Sequence, residues 1–119
     1  MQFDHDLNSS FAALFLRVRD SVLSFEGMRE IQNAKQTSYA CEGRVQCMMR
    51  VRHGALVLAF NWGARLSEHY PQLIGDAKVV RHLYLYDEKD FDEALFRELI
   101  GKSIIYTIEQ RELRRKPSP

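Results

Sequence analysis

The stretch from Arg44 to Trp62 constrains the fold more than any other. Polar and apolar residues alternate through Arg44–Arg52 and Ala55–Trp62, and His53-Gly54 stands between the two runs. A period of two marks a strand with one buried face. Glycine accepts positive φ, so the dipeptide suits a tight two-residue hairpin turn. With that turn, Val51 faces Leu56, Met49 faces Leu58 and Cys47 faces Phe60. One face then carries Val45, Cys47, Met49, Val51, Leu56, Leu58, Phe60 and Trp62. The other carries Gln46, Met48, Arg50, Arg52, Ala55, Val57, Ala59 and Asn61. A large apolar face backed by a mixed one predicts an antiparallel sheet covered on one side.

The flanking segments extend this sheet. Thr37–Cys41 precedes Glu42-Gly43, a second turn dipeptide. A two-residue turn there pairs Tyr39 with Gln46 and Ser38 with Cys47, which puts Cys41 and Cys47 on opposite faces and unable to bridge. Ser67–Asp76 reads as a loop. In Val79–Tyr86, Val79, Arg81, Leu83 and Leu85 point one way, and Val80, His82, Tyr84 and Tyr86 the other. Helices are expected at both ends. Phe11, Leu14, Phe15, Val18, Val22 and Phe25 recur at helical spacing behind Asn8, Ser9 and Ser10 as caps. Asp90 and Glu93 have capping-box spacing ahead of Phe91, Leu95, Phe96, Leu99 and Ile100. Gly101 is expected to kink or end that helix, and Ile104, Ile105 and Ile108 point to a continuation.

The order predicts an α+β two-layer sandwich: an antiparallel sheet of four or more strands, with N- and C-terminal helices on one face. At 119 residues the chain is expected to be a single domain over 1–119, with a flexible basic tail at 111–119. The start, MQFDHDLNSS, does not read as a secretory signal, and Asp4-His5-Asp6 reads as part of a mobile terminus. No apolar run approaches a membrane span, so a cytoplasmic protein with reduced cysteines is expected. The net charge of +1 argues against a dedicated nucleic-acid binder. Yet charge is segregated: Arg44, Arg50 and Arg52 stand without acids, while Asp87, Glu88, Asp90, Asp92, Glu93 and Glu98 crowd a turn and the helix start that follows it. No nucleophile elbow, phosphate loop or zinc-protease motif appears.

From Ser38 onward the sequence resembles the YdhG-like family of bacterial domains. The resemblance rests on SYACEGRV, LAFNWGARL, LIGDAK and VVRHLYLYDEKDFDEALFRELI in that order. The positions that carry it are Tyr39 and Gly43; Trp62, Gly63, Ala64 and Leu66; Arg81 and His82; and Asp87, Asp90 and Asp92. It implies a frataxin-like fold. One branch of the family is described as an intracellular iron chaperone, which makes iron the implied metal.

Three uses follow from the residues. The first is a non-enzymatic module that binds a small ligand, a metal or a protein. Tyr39, Trp62, Arg65, Arg81, His82 and Tyr84 are its candidate contacts, and Tyr39 with His82 would make an aromatic surface on the polar sheet face. The half-apolar Met48, Val57 and Ala59 on that face also predict a protein partner or a weak homodimer, as an alternative to a monomer. The second is iron held by Asp87, Asp90, Asp92 and Glu93, since iron takes carboxylate ligands. The third is a small enzyme using His82 with Arg81 or Tyr39. Arg81, on an apolar face, is expected to form an ion pair with the final helix.

Overall fold

The computed structural model describes residues 1–115. The elements are α1 (Gln2–Leu7), α2 (Ala12–Leu23), β1 (Arg29–Gln32), β2 (Thr37–Cys41), β3 (Arg44–Arg52), β4 (Ala55–Phe60), α3 (Gly63–Leu66), β5 (Arg81–Leu85), a 3-10 turn (Glu88–Asp90) and α4 (Glu93–Arg115). The strands form one antiparallel sheet in chain order, β1-β2-β3-β4-β5. Phe15, Val18 and Val22 of α2 and Phe96, Leu99 and Ile100 of α4 share one core with Met49, Leu56, Leu58 and Phe60. Helices therefore cover one sheet face, and the α+β two-layer sandwich is the architecture. Each of these side chains, taken from water, contributes about 1.5–3 kcal/mol.

The β3–β4 hairpin has the register that the alternation dictates, with Val51 opposite Leu56, Met49 opposite Leu58 and Cys47 opposite Phe60. Both turn residues have positive φ, 51° at His53 and 78° at Gly54, as a type I′ turn demands. The β2–β3 hairpin differs. Its turn is tight, but the register slips between Tyr39 and Ala40: Tyr39 faces Cys47 and Ala40 faces Val45, leaving Gln46 as a bulge. The extra residue exchanges the faces. Tyr39 and Cys41 join Cys47 in the core, so the two cysteines share a face rather than lying on opposite ones. Both are free thiols. Gln46 turns inward to Thr107 of α4, and Val45 is only half-buried.

β1 and α1 lie outside the sequence expectation, as do the short α3 and the 3-10 turn. β1 carries the short run Arg-Glu-Ile-Gln, with no clean alternation. The N-terminus, expected as a loose end, forms α1, and Asp6 is fully buried. Asp6 Oδ1 accepts the Val51 amide at 3.0 Å, beyond the point where β2 ends with Thr37 opposite Met49. The Gln2 side chain donates to the same oxygen at 2.7 Å. A buried carboxylate thus supplies the acceptor that a longer β2 would have provided.

α4 runs unbroken through Gly101 to Arg115. Arg111, Arg114 and Arg115 belong to this helix rather than to a tail, and 116–119 lie outside the described residues. A Cβ on Gly101 meets nothing within 4 Å. Gly101→Ala is therefore expected to stabilise the fold by about 1 kcal/mol, by removing backbone entropy from the unfolded chain. Urea denaturation followed by circular dichroism checks this; an unchanged midpoint refutes it.

Candidate functional site

The sheet face turned away from α2 and α4 stays open. Strand registers set its rows: Ser38, Met48, Ala59 and His82, then Arg50, Val57 and Tyr84, then Arg52 and Ala55. Arg29 and Ile31 of β1 continue the surface beside Ala40 and Ser38. The rings of His82 and Tyr84 stand 6.1 Å apart. Tyr84 is 39% exposed and Tyr86, just past β5, is 63% exposed. A shallow depression of about 350 Å³ runs between Arg50, Arg52, Tyr84 and Tyr86 over a floor of Ala55 and Val57. A smaller one, about 140 Å³, adjoins it between Met48, Ala59 and His82.

The electrostatics of this face are one-signed. The rows contain arginine and histidine but no aspartate or glutamate. On the helix side, three arginines find carboxylates, Arg19 with Glu30 at 2.6 Å, Arg65 with Glu109 at 3.3 Å and Arg111 with Glu42 at 2.8 Å, and Arg17, Arg44 and Arg97 lie over the rings of Phe91, Trp62 and Phe25. Arg29, Arg50 and Arg52 have no carboxylate partner among the described residues.

The expected ligand contacts divide between the two faces. His82 and Tyr84 lie on the open one, and Tyr39 does not. It is fully buried, and its hydroxyl donates to Glu30 Oε2 at 3.1 Å. Burial and the Glu30 charge push its phenol far above the usual range. Burial also acts to raise the Glu30 carboxyl, but hydrogen bonds from Arg19, Gln32 and Tyr39 prevail and hold it below its ordinary value. Trp62 packs on the helix side, donating from Nε1 to Thr107 Oγ1 at 2.9 Å under the guanidinium of Arg44. Arg65 lies 3.6 Å above the ring of Tyr106, also on α4. Tyr39, Arg65 and His82 therefore form no common pocket. Arg81 makes no ion pair with α4; its guanidinium donates to the carbonyls of Ala77 and Val80 in the preceding loop.

The acidic turn is occupied with its own backbone. Asp90 Oδ2 accepts from the amides of Tyr86 and Asp87 at 2.8 and 3.2 Å, and Asp87 Oδ1 accepts from Lys89 at 2.8 Å. The capping box is thus Asp87 with Asp90, not Asp90 with Glu93. Asp92 caps α4, its Oδ1 accepting from Leu95 at 3.0 Å, and Glu93 is the first residue of that helix. Among the described residues, no three His, Cys, Asp or Glu side chains converge as a metal site. Burial raises the thiols of Cys41 and Cys47, which keeps them protonated and unreactive.

No family model matches the chain, and no curated protein or solved structure matches it. No helix among the described residues is long and apolar enough to cross a membrane. The site rests on geometry alone. Its arginines on β3 were visible in the alternation, as was the His82–Tyr84–Tyr86 stripe. Arg29 and Ile31 were not, because the four residues of β1 carry no periodic signal.

Proposed function

We propose that this chain is a YdhG-like cytoplasmic binding module that takes an anionic partner on the open face of its sheet. The observation that carries this reading is the contrast among arginines. On the helix side Arg19, Arg65 and Arg111 are neutralised by Glu30, Glu109 and Glu42, and Arg17, Arg44 and Arg97 lie over aromatic rings, whereas Arg50 and Arg52 line the open depression with neither kind of partner among the described residues. Cationic heads over an apolar floor favour a negatively charged ligand with flat or apolar parts. A binding role is supported by how the remaining chemistry is spent. Tyr39 donates to Glu30, and Arg81 holds loop carbonyls, which leaves His82 without either as a working partner. The two protonated thiols fit a reducing compartment.

Titration of inorganic tripolyphosphate into isotope-labelled protein tests the reading by amide chemical shifts. Perturbation is expected in β3, β4 and β5, and is expected to disappear in an Arg50→Gln, Arg52→Gln double variant. Shifts confined to the separate groove of Arg44, Arg111, Arg114 and Arg115 would overturn it.

A further inference from the structure

We propose that the open face binds single-stranded nucleic acid, with bases stacked on the rings of β5 and phosphates drawn to the arginines of β3. This rests on the anion-binding reading above and names its partner. Four observations converge on it.

The first is the ring stripe. His82, Tyr84 and Tyr86 alternate along one side of β5 and its continuation, and successive same-face residues on a strand are about 6.6 Å apart. That is the stretch between neighbouring nucleotides in an extended single strand. The exposed tyrosine rings offer π-faces on which any base stacks.

The second is the cross-strand distance. Arg50, Val57 and Tyr84 share a row, so Arg50 lies two strands away from Tyr84, about 10 Å across the sheet. A nucleotide laid over Val57 places its base on Tyr84 and its phosphate within reach of the Arg50 side chain.

The third is the floor. Ala55, Val57 and Ala59 are small, so the sugar–base body meets no obstruction between rings and arginines. The fourth is charge. No carboxylate stands in the rows to repel phosphate, and the acidic turn begins only past Tyr86, at the end of the stripe. The near-zero net charge therefore conceals a basic face, and local charge governs phosphate contact.

Competing occupants fit less well. A second copy of this chain, packed face to face, would oppose arginine with arginine. An acidic peptide supplies charge but nothing for three rings. A duplex hides its base faces within its own stack.

Fluorescence anisotropy at low salt tests this on the full chain with three labelled probes: a thymidine octanucleotide, an abasic octanucleotide of equal charge, and an octaglutamate peptide. The thymidine strand is expected to bind in the region of 10 μM, tighter than the abasic strand by at least about tenfold. Tyr84→Ala is expected to weaken thymidine binding by about tenfold and leave abasic binding unchanged. Tyr84→Phe is expected to restore it. The Arg50→Gln, Arg52→Gln variant is expected to weaken both strands and to flatten the salt dependence by roughly one unit of slope. Equal binding of the two strands, tighter binding of octaglutamate, or an inert Tyr84→Ala overturns the nucleic-acid proposal while leaving an anion-binding face. Failure of all three probes, with no tripolyphosphate shifts, overturns both.

Discussion

Gly63→Ala is expected to cost the fold about 3 kcal/mol, a large share of the 5–15 kcal/mol available to a domain. The cause is space. A Cβ on Gly63 falls 2.2 Å from Arg81 N, 2.6 Å from Arg81 Cβ and 2.8 Å from Arg81 Cα. These atoms sit at or next to the backbone, so no rotamer change relieves them. Neither partner yields easily. The neighbouring Ala64 amide donates to Val79 O at 2.8 Å, and Arg81 is paired with Phe60 across the β4–β5 ladder. Relief requires lifting α3 from the strand or opening the end of β5 that leads into His82 and Tyr84. Urea denaturation measures the loss, and amide exchange along β5 locates it. A change within about 0.5 kcal/mol shows that the close approach is not a constraint. Gly101→Ala, with open space around its new methyl group, carries the opposite sign. The two substitutions are chemically identical, and only their surroundings separate them.

The contrast between the two hairpins shows what local pattern encodes. In β3–β4, the turn dipeptide and the alternation specify the same register, so Cys47, Met49 and Val51 find the predicted partners. In β2–β3 the turn was equally readable, but a bulge is a single unpaired residue with no signature of its own. Gln46 looks like any polar strand position. Its inward turn depends on Thr107, more than sixty residues away, accepting from its side chain at 3.1 Å. The faces of Tyr39 and Cys41 follow from that bulge. The same logic explains β1 and α1. Glu30 is held by Arg19 and Tyr39, and Asp6 by the Val51 amide, so both elements are justified only by partners on other elements. The open face was readable wherever it belongs to the well-specified hairpin or to the alternating β5. Arg65 was placed with it wrongly because the chain turns at Gly63 onto the helix layer, whereas Trp62 lies on the apolar side that its register assigns.

Thr107→Val is the second large effect, with an expected loss of about 2–3 kcal/mol from one hydroxyl. Thr107 is buried on α4, and its Oγ1 accepts from Trp62 Nε1 at 2.9 Å and from Gln46 Nε2 at 3.1 Å. It donates to Ser103 O at 2.9 Å. Valine has nearly the same shape and a similar helix propensity, so the substitution opens no cavity and leaves α4 intact. It does strand the donors. A buried group left without its partner costs about 1–3 kcal/mol. The Trp62 N–H loses its acceptor entirely. Gln46 Nε2 keeps the Cys41 carbonyl at 3.1 Å, which limits its share. Thr107→Ser, which retains the hydroxyl, is expected to cost about 1 kcal/mol for the lost methyl group. The tryptophan reports directly: its fluorescence is expected to change in Thr107→Val and not in Thr107→Ser. A cycle with Gln46→Leu separates the two donors, because coupled neighbours deviate from additivity by about 0.5 kcal/mol or more. Additive losses would mean that Gln46 is held inward by its own hairpin, through the Cys41 carbonyl. Coupled losses would mean that α4 selects the bulge, and with it the faces on which Tyr39 and both cysteines lie.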